Sequence, residues 1–311
     1  MLAAAMISAA VAFADTKALA LQICLDREGY SCNTIDGAWG RKCERALKHY
    51  AWNHAGVGGP SAPEDPGRAL EVFFPGATNL FARVAVTKAD LDSLVKIPED
   101  AAAKADLPFM GYETVKEMFA ERGHLSQRAL ERLNPKVDWD DVRPGTVLKI
   151  PRFPPVEEYL AAWPRQGAAA ARAPEAALLR ISVSNCEVTA YDGGGRLIGL
   201  FPCSIARDKA KIPPQGELRV TTVIANPNYT YTPDSAPAGE RIRRHVFPGG
   251  PNCPIGVAWI GLNLPGYGIH GTVRPESVGN AESHGCFRLS NWNAARLYAM
   301  TKPGVRVVVI P

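Results

Sequence analysis

The sequence predicts a multi-domain chain: a mainly β domain with one late helix at the C-terminus, preceded by a small α-helical domain and a small α+β module. Three observations carry this expectation. At 311 residues the chain exceeds the ordinary size of one domain, and its 46% hydrophobic content can furnish more than one core. Two tracts rich in Pro, Gly and Ala, Gly58 to Gly76 and Pro154 to Pro174, interrupt it. Apolar residues recur at helical spacing before the second tract and in short strand-like runs after it.

Residues 1–14, MLAAAMISAAVAFA, are apolar apart from one serine and end in Ala12-Phe13-Ala14. That resembles the apolar core and small-residue cleavage site of a signal peptide, which predicts export to the periplasm or cell wall. No later segment approaches the ~18–20 apolar residues of a membrane span, so no integral membrane segment is expected in the mature chain. In residues 15–57 one helix is expected around Leu19–Asp26. Cys43, Ala46, Leu47 and Tyr50, at i, i+3, i+4, i+7, mark one face of a second, with a turn at Asp36-Gly37 between them. Residues 58–108 read as a linker. Within 109–152, Val115, Met118 and Phe119 form one short helical face, and Ser126 caps another helix on which Ala129, Leu130 and Leu133 face inward. A turn at Pro144-Gly145 leads to a strand over Val147–Ile150. Residues 153–176 read as a second linker. From 177 to 311, strands are expected at Leu179–Ser184, Val188–Tyr191, Arg196–Phe201 and Glu217–Val223, with Asp192–Gly195 as a hairpin turn. A helix from about Trp292 to Thr301, capped by Ser290 or Asn291, precedes a strand at Arg306–Ile310.

Leu21-Gln22, Gly29-Tyr30, Ile35-Asp36-Gly37 and Trp39-Gly40 together resemble the small helical peptidoglycan-binding domain, with Cys43 standing where that family usually has threonine. Tyr112–Pro151, with its two helices, Leu133-Asn134-Pro135 and the ending Pro144-Gly145 to Ile150-Pro151, resembles a LysM glycan-binding module that lacks a recognisable first strand. The resemblances imply two modules that hold the protein to peptidoglycan. A packing helix pair and a scaffold are the alternatives.

Charge is unevenly spread. The net +4 divides into +6 from Ala177 onward (14 Lys+Arg against 8 Asp+Glu) and −2 for residues 1–176. A mildly basic C-terminal part suits an anionic substrate. Its densest run, Arg241–Arg244, is short and lacks interleaved aromatics, which argues against nucleic acid and for a solvated loop.

Two strings carry chemistry: YGIHGTVRPESVG (Tyr267–Gly279) and SHGCFRLSN (Ser283–Asn291). A thiol of pKa ~8.5 is only slightly ionised at neutral pH, and a neighbouring imidazolium can lower it to ~4–7. His270, sixteen residues before Cys286, can be that partner and then protonate a leaving amine. Gly285 lets the backbone approach a substrate carbonyl. If the chain after Cys286 is extended, Arg288 shares its face and offers a carboxylate fork, while Phe287 turns inward.

Together the strings resemble the catalytic signature of the L,D-transpeptidase family, HGT followed by SHGC-x-R-L. Asn252–Gly256 stands at the family's Asn/Pro/Gly turn, and Pro213–Gly216 at its Thr-Pro-x-Gly turn, with Pro213 a departure. The resemblance implies a mainly β domain in which Cys286 is the nucleophile, His270 the general base and Gly271 the backbone group that orients it. It implies support or oxyanion roles for Gly285, His284 and Ser283, and substrate binding by Arg288, Thr272 and Asn252. No cofactor or metal is implied; peptidoglycan is the partner, nucleic acid is not, and the protein is expected to be a monomer. Three rivals stay open: a carboxypeptidase with the same Cys-His site, a zinc hydrolase with His270, His284 and Cys286 as ligands and Glu282 as base, and a non-catalytic wall-binding protein.

Of the remaining cysteines, Cys24, Cys32 and Cys43 fall in the first module, and Cys186, Cys203 and Cys253 in the last domain. With flexible linkers between, at most one disulfide per domain is expected. These are Cys24–Cys32, a late-helix residue and the loop just beyond it, and Cys186–Cys203, across the hairpin around Gly194.

Overall fold

The computed structural model describes residues 16–55, 61–161, 174–211, 216–233, 241–279, 281–283 and 285–311. The expected signal peptide, Pro213 and His284 lie outside the described residues. Helices α1 (Thr16–Arg27) and α2 (Arg41–Ala55) form the N-terminal unit. The Asp36-Gly37 turn between them is held by Gln22, whose Oε1 accepts from the Asp36 and Gly37 amides at 3.2 and 2.8 Å.

Within the expected linker 58–108, the described residues 61–108 are structured: they contain α3 (Pro66–Phe73), β1 (Phe81–Ala85), α4 (Lys88–Asp92) and α5 (Ala101–Ala105). Asp65 caps α3, and Thr87 with Asp90 forms a capping box on α4. Helices α6 (Val115–Arg122) and α7 (Gln127–Leu133) are capped by Thr114 and Ser126. They pack Phe119 and Leu130 onto an antiparallel ribbon of β1 with β2 (Val147–Pro151), in which Phe81 faces Pro151. Strand β1 has no counterpart in the sequence pattern, and α4 to α7 separate it in the chain from its partner β2. The second expected linker also holds structure: α8 (Val156–Leu160) inserts Val156 into the C-terminal core.

The C-terminal strands are β3 (Leu178–Ser182), β4 (Glu187–Tyr191), β5 (Leu197–Pro202), β6 (Ile205–Ala206), β7 (Gly216–Ala225), β8 (Tyr229–Tyr231) and β9 (His245–Phe247). There follow β10 (Ala258–Leu262), β11 (Gly268–His270), β12 (Ala281–Ser283), β13 (Phe287–Arg288), helix α9 (Asn291–Met300) and β14 (Arg306–Ile310). Eight strands form one sheet in the order β13-β11-β10-β7-β14-β3-β4-β5. It is antiparallel except at β11–β13 and β14–β3. Helix α9 covers it, with Trp292 and Leu297 buried. Arg241–Arg244 is an exposed run, as a solvated loop would be. Among the described residues no helix is long and apolar enough to cross a membrane.

The parts share their cores. Leu197 and Leu200 of β5 are buried among Leu21, Leu25, Tyr30 and Leu47. Leu200 exchanges backbone hydrogen bonds with Gly29 and Ser31 at 2.8 and 3.0 Å, so the chain after α1 continues the sheet beyond β5. At the end of α1, Asp26 meets His124 at 2.9 Å, with both side chains buried. The His124 ring stacks on Phe153 and Trp292, at centroid distances of 3.9 and 5.2 Å. Arg296 of α9 donates to the Asp26 and Arg27 carbonyls. The expectation of separately tethered modules is corrected by this junction, where all three parts meet around buried polar groups.

All seven cysteines are thiols. Cys32 is coupled electrostatically to Cys43, and Cys24 is not among the groups that shift it. Cys186 and Cys203 are neighbours through a 2.8 Å backbone hydrogen bond, while the Cys186 thiol turns to the Val183 carbonyl at 3.6 Å.

Candidate active site

Strands β11 and β13 run parallel with His270 opposite Arg288 and Ile269 opposite Phe287. This register sets Cys286, one residue before β13, beside the start of β11. Strand alternation then separates the faces: Phe287 is fully buried, while Cys286 and Arg288 both line a cleft of about 780 Å³. His270, Gly285, Trp259 and Tyr267 line the same cleft. The chain enters Cys286 through Gly285 at φ +149°, where an added Cβ would lie 3.2 Å from the Tyr267 ring. The backbone conformation thus calls for glycine, and a side chain there would press on the Tyr267 ring.

His270 is buried, and its Nδ1 lies 2.7 Å from the Gly271 carbonyl. A carbonyl only accepts, so Nδ1 carries the proton and Nε2 keeps its lone pair. Trp259, opposite it on β10, stacks on the ring with centroids 5.7 Å apart. Burial lowers the His270 pKa to about 4; the Gly271 bond opposes the shift and the Arg288 charge adds to it. Burial also pushes the Cys286 thiol up, against a backbone hydrogen bond from Gly268. Cys286 Sγ donates to the Gly266 carbonyl at 3.4 Å. Burial thus works against the charged form of both groups, and so against the imidazolium-stabilised thiolate that the sequence predicts.

The backbone behind His270 is held by a residue that the sequence offers only as a helix cap. Asn291 Oδ1 accepts from the Val257 amide at 3.3 Å and packs so closely that a Cβ on Gly256 or Gly271 would lie 2.1 or 2.3 Å from it. Its Nδ2 donates to the Pro251 carbonyl at 3.1 Å and to Glu121 Oε2 at 3.2 Å. Glu121 belongs to α6, so the middle unit reaches the support of His270. Burial raises the Glu121 pKa to about 8, against the Asn291 hydrogen bond.

Two expected substrate-binding residues stand elsewhere. The Asn252 amide donates to the Met110 carbonyl at 3.0 Å and its Nδ2 to the Gly111 carbonyl at 2.9 Å, which joins the middle unit to the C-terminal domain. Thr272 is buried, with Oγ1 accepting from the Arg274 amide at 3.3 Å, and is not among the cleft-lining residues. Ser283 lies in β12, paired with β6. Sequence reasoning missed Trp259 and Glu121. The pairing of Trp259 with His270 depends on the β10–β11 hairpin, whose Gly261↔Gly268 end is marked by the glycines in WIGL and YGIH. For Glu121 no local signal exists.

Residues 176–310 match the sequence model of the YkuD family, described as the L,D-transpeptidase catalytic domain. The chain is 35% identical over 112 residues to YqjB of Bacillus subtilis, which carries an L,D-transpeptidase name; this spans 34% of the chain and 57% of that relative. It is 27% identical over 198 residues to YbiS of Escherichia coli K12, also named for that activity, over 62% of the chain and 59% of the relative. The chain thus spans little more than half the length of these curated relatives. An L,D-transpeptidase structure from Mycobacterium smegmatis aligns with 43% of the chain and 58% of its own length, at 19% identity and a TM-score of 0.33.

Proposed function

We propose that the protein is an exported cysteine L,D-transpeptidase that cross-links or remodels peptidoglycan. The observation that supports this most is the convergence of Cys286, His270 and Arg288 on one cleft, within the segment that matches the L,D-transpeptidase catalytic domain. In the proposed reaction the Cys286 sulfur attacks the L-to-D peptide carbonyl of a tetrapeptide stem as its proton passes to His270 Nε2. Backbone N–H groups around Gly285 and Cys286 receive the oxyanion. The intermediate collapses to a thioester, and the terminal D-amino acid leaves with the proton from Nε2. The side-chain amine of a second stem's diamino acid then attacks the thioester, yields a 3→3 cross-link and restores the thiol through His270. A buried imidazolium is a poor resting state and a good acid, so the low pKa speeds delivery of the proton to the leaving amine. Arg288 binds a substrate carboxylate through its planar fork.

The N-terminal units are assigned to wall binding. Trp52 is 68% exposed, and with Lys48, His49, Asn53 and Tyr191 it lines a groove of about 440 Å³ that spans α2 and the β4–β5 hairpin. An aromatic face with a polar rim suits a glycan strand and would raise the local concentration of stems at the cleft.

Mass spectrometry of muropeptides incubated with the protein tests this reading, with Cys286→Ala as control. Cysteine-dependent 3→3 dimers are expected. Cysteine-dependent trimming without dimers would replace transfer by hydrolysis, and unchanged muropeptides would leave a binding protein. Sacculus pelleting that Trp52→Ala does not weaken would remove the groove from the proposal.

A further inference from the structure

Cys32 follows α1 and Cys43 sits in the first turn of α2. Both are about 4% exposed and share one apolar cluster with Leu21, Leu25, Tyr30 and Leu47. The two thiols are coupled electrostatically, and Cys43 Sγ accepts from Gln22 Nε2 at 3.4 Å and lies 3.7 Å from the Ala38 carbonyl. The loop between them is already fixed, with Gln22 Nε2 donating to the Ala38 carbonyl at 2.9 Å besides the bonds of its Oε1 to Asp36 and Gly37. A disulfide between them needs an S–S distance of ~2.05 Å with Cβ atoms ~3.5–4.5 Å apart, which two cysteines of one cluster, flanking a turn held closed by Gln22, are placed to reach.

The same loop touches both other parts of the molecule. Asn33 Nδ2 donates to the Pro275 carbonyl at 2.8 Å, and Lys42 Nζ to the Val278 carbonyl. The Ile35 amide donates to the His124 carbonyl at 2.8 Å, and Arg132 donates to the Asp36 carbonyl at 2.9 Å. Pro275–Val278 is the turn that leads into β12 and on to Cys286.

We propose that Cys32 and Cys43 are a disulfide site, closed during folding in an oxidising compartment, and that the bond pins this loop against the turn upstream of Cys286. The oxidant is a small or protein disulfide that exchanges with thiols. The Cys43 thiolate attacks one sulfur of the oxidant, forms a mixed disulfide and expels one thiolate. Cys32 then loses its proton, and its sulfur attacks the Cys43 sulfur and expels the second. Two protein thiols and one disulfide thus become one protein disulfide and two small thiols. The coupling to Cys32 holds the Cys43 thiol below its ordinary pKa and marks it as the first to ionise, while burial pushes the Cys24 thiol up to about 11. Once the module closes, burial shields the bond from exchange with Cys286 of other molecules.

The test is refolding of the full chain in a glutathione redox couple, followed by alkylation and a non-reducing tryptic map. Arg41 and Lys42 lie between the two cysteines, so the bond would join Glu28–Arg41 to Cys43–Arg45, two peptides that otherwise separate. That linked species is expected, with Cys24 and Cys286 alkylated. Alkylation of both Cys32 and Cys43, or a link from Cys32 to Cys24, overturns the proposal. If the bond pins the loop, dithiothreitol lowers the melting temperature of the oxidised protein by roughly 5–10 °C. It has no such effect on a Cys32→Ser/Cys43→Ser protein. An equal drop in that variant overturns the pinning role, and should the variant not fold, the peptide map alone decides the site.

Discussion

His270 stays neutral over the range in which an ordinary imidazole titrates, because its pKa is held at about 4. Turnover should therefore show no inflection between about pH 5 and 7.5, and should fall only as pH approaches 4. A kcat/KM profile with an acid limb near the usual histidine pKa would show that the imidazole is charged at rest. Stability carries the same sign. The unfolded chain binds the His270 proton more readily than the folded one, so this residue makes stability rise with pH between about 4 and 6.5. Glu121 acts the opposite way. Its pKa of about 8, against 4.5 for the free group, means the folded chain holds the proton longer, and stability falls as pH rises from 4.5 to 8. Glu121→Gln should remove that fall. Urea unfolding at pH 5 and pH 8 measures it, and an unchanged pH slope would show that Glu121 is ionised in its site. The sequence strings place Cys286, His270 and Arg288 close enough to converge, since both strings are short and each side chain follows from strand alternation. The protonation states are not legible there, because burial is set by Trp259 and by the β10–β11 register. The surroundings of Asn252 are hidden for a related reason: a turn motif does not reveal that its side-chain Nδ2 donates to the Gly111 carbonyl.

At the scale of elements, the start of α9 presses on two loops at once. Gly256 has φ +62°, and a Cβ there would lie 2.1 Å from Asn291 Oδ1 and 2.6 Å from the Gly271 Cα. Gly256→Ala should push Gly271 away from His270. The expected result is a loss of at least about tenfold in kcat, from a disturbed general base, with the β3–β5 meander still folded. Activity assays and the imidazole NMR signals of His270 check this, and unchanged His270 resonances would contradict it. Helices α1, α2, α6, α7 and α9 and strands β3–β5 are legible to within a few residues, since helical spacing and a hairpin turn are local signals. Strand β1 is not, because its partner β2 begins only at Val147 and the intervening helices hide the pairing. The five-residue α8, next to an Ala/Pro-rich tract, is too short to show a period.

At the scale of the whole molecule, a chain beginning near Ala177 is not expected to behave as a free catalytic domain, as separately tethered modules would allow. It would strip Leu197 and Leu200 of their cover, remove His124 from Trp292, and leave Asn291 without Glu121. Burial of this kind is worth roughly 1.5–3 kcal/mol per large apolar side chain, enough to exhaust the margin of many domains. Expression of residues 177–311 should give insoluble or molten protein, and a sharp thermal transition near that of the full chain would refute this. The interlocking was not legible because every contact that builds it joins residues far apart in sequence. The hydrogen bonds of Leu200 with Gly29 and Ser31 have one more consequence. At the other end of the sheet β13 is short, but β5 would offer a longer row of bare amides and carbonyls, the template on which strands of separate molecules add to one another. With Gly29 to Ser31 laid along that row, the N-terminal unit also guards against fibrillar self-association, and variants that loosen α1 should aggregate before they lose turnover.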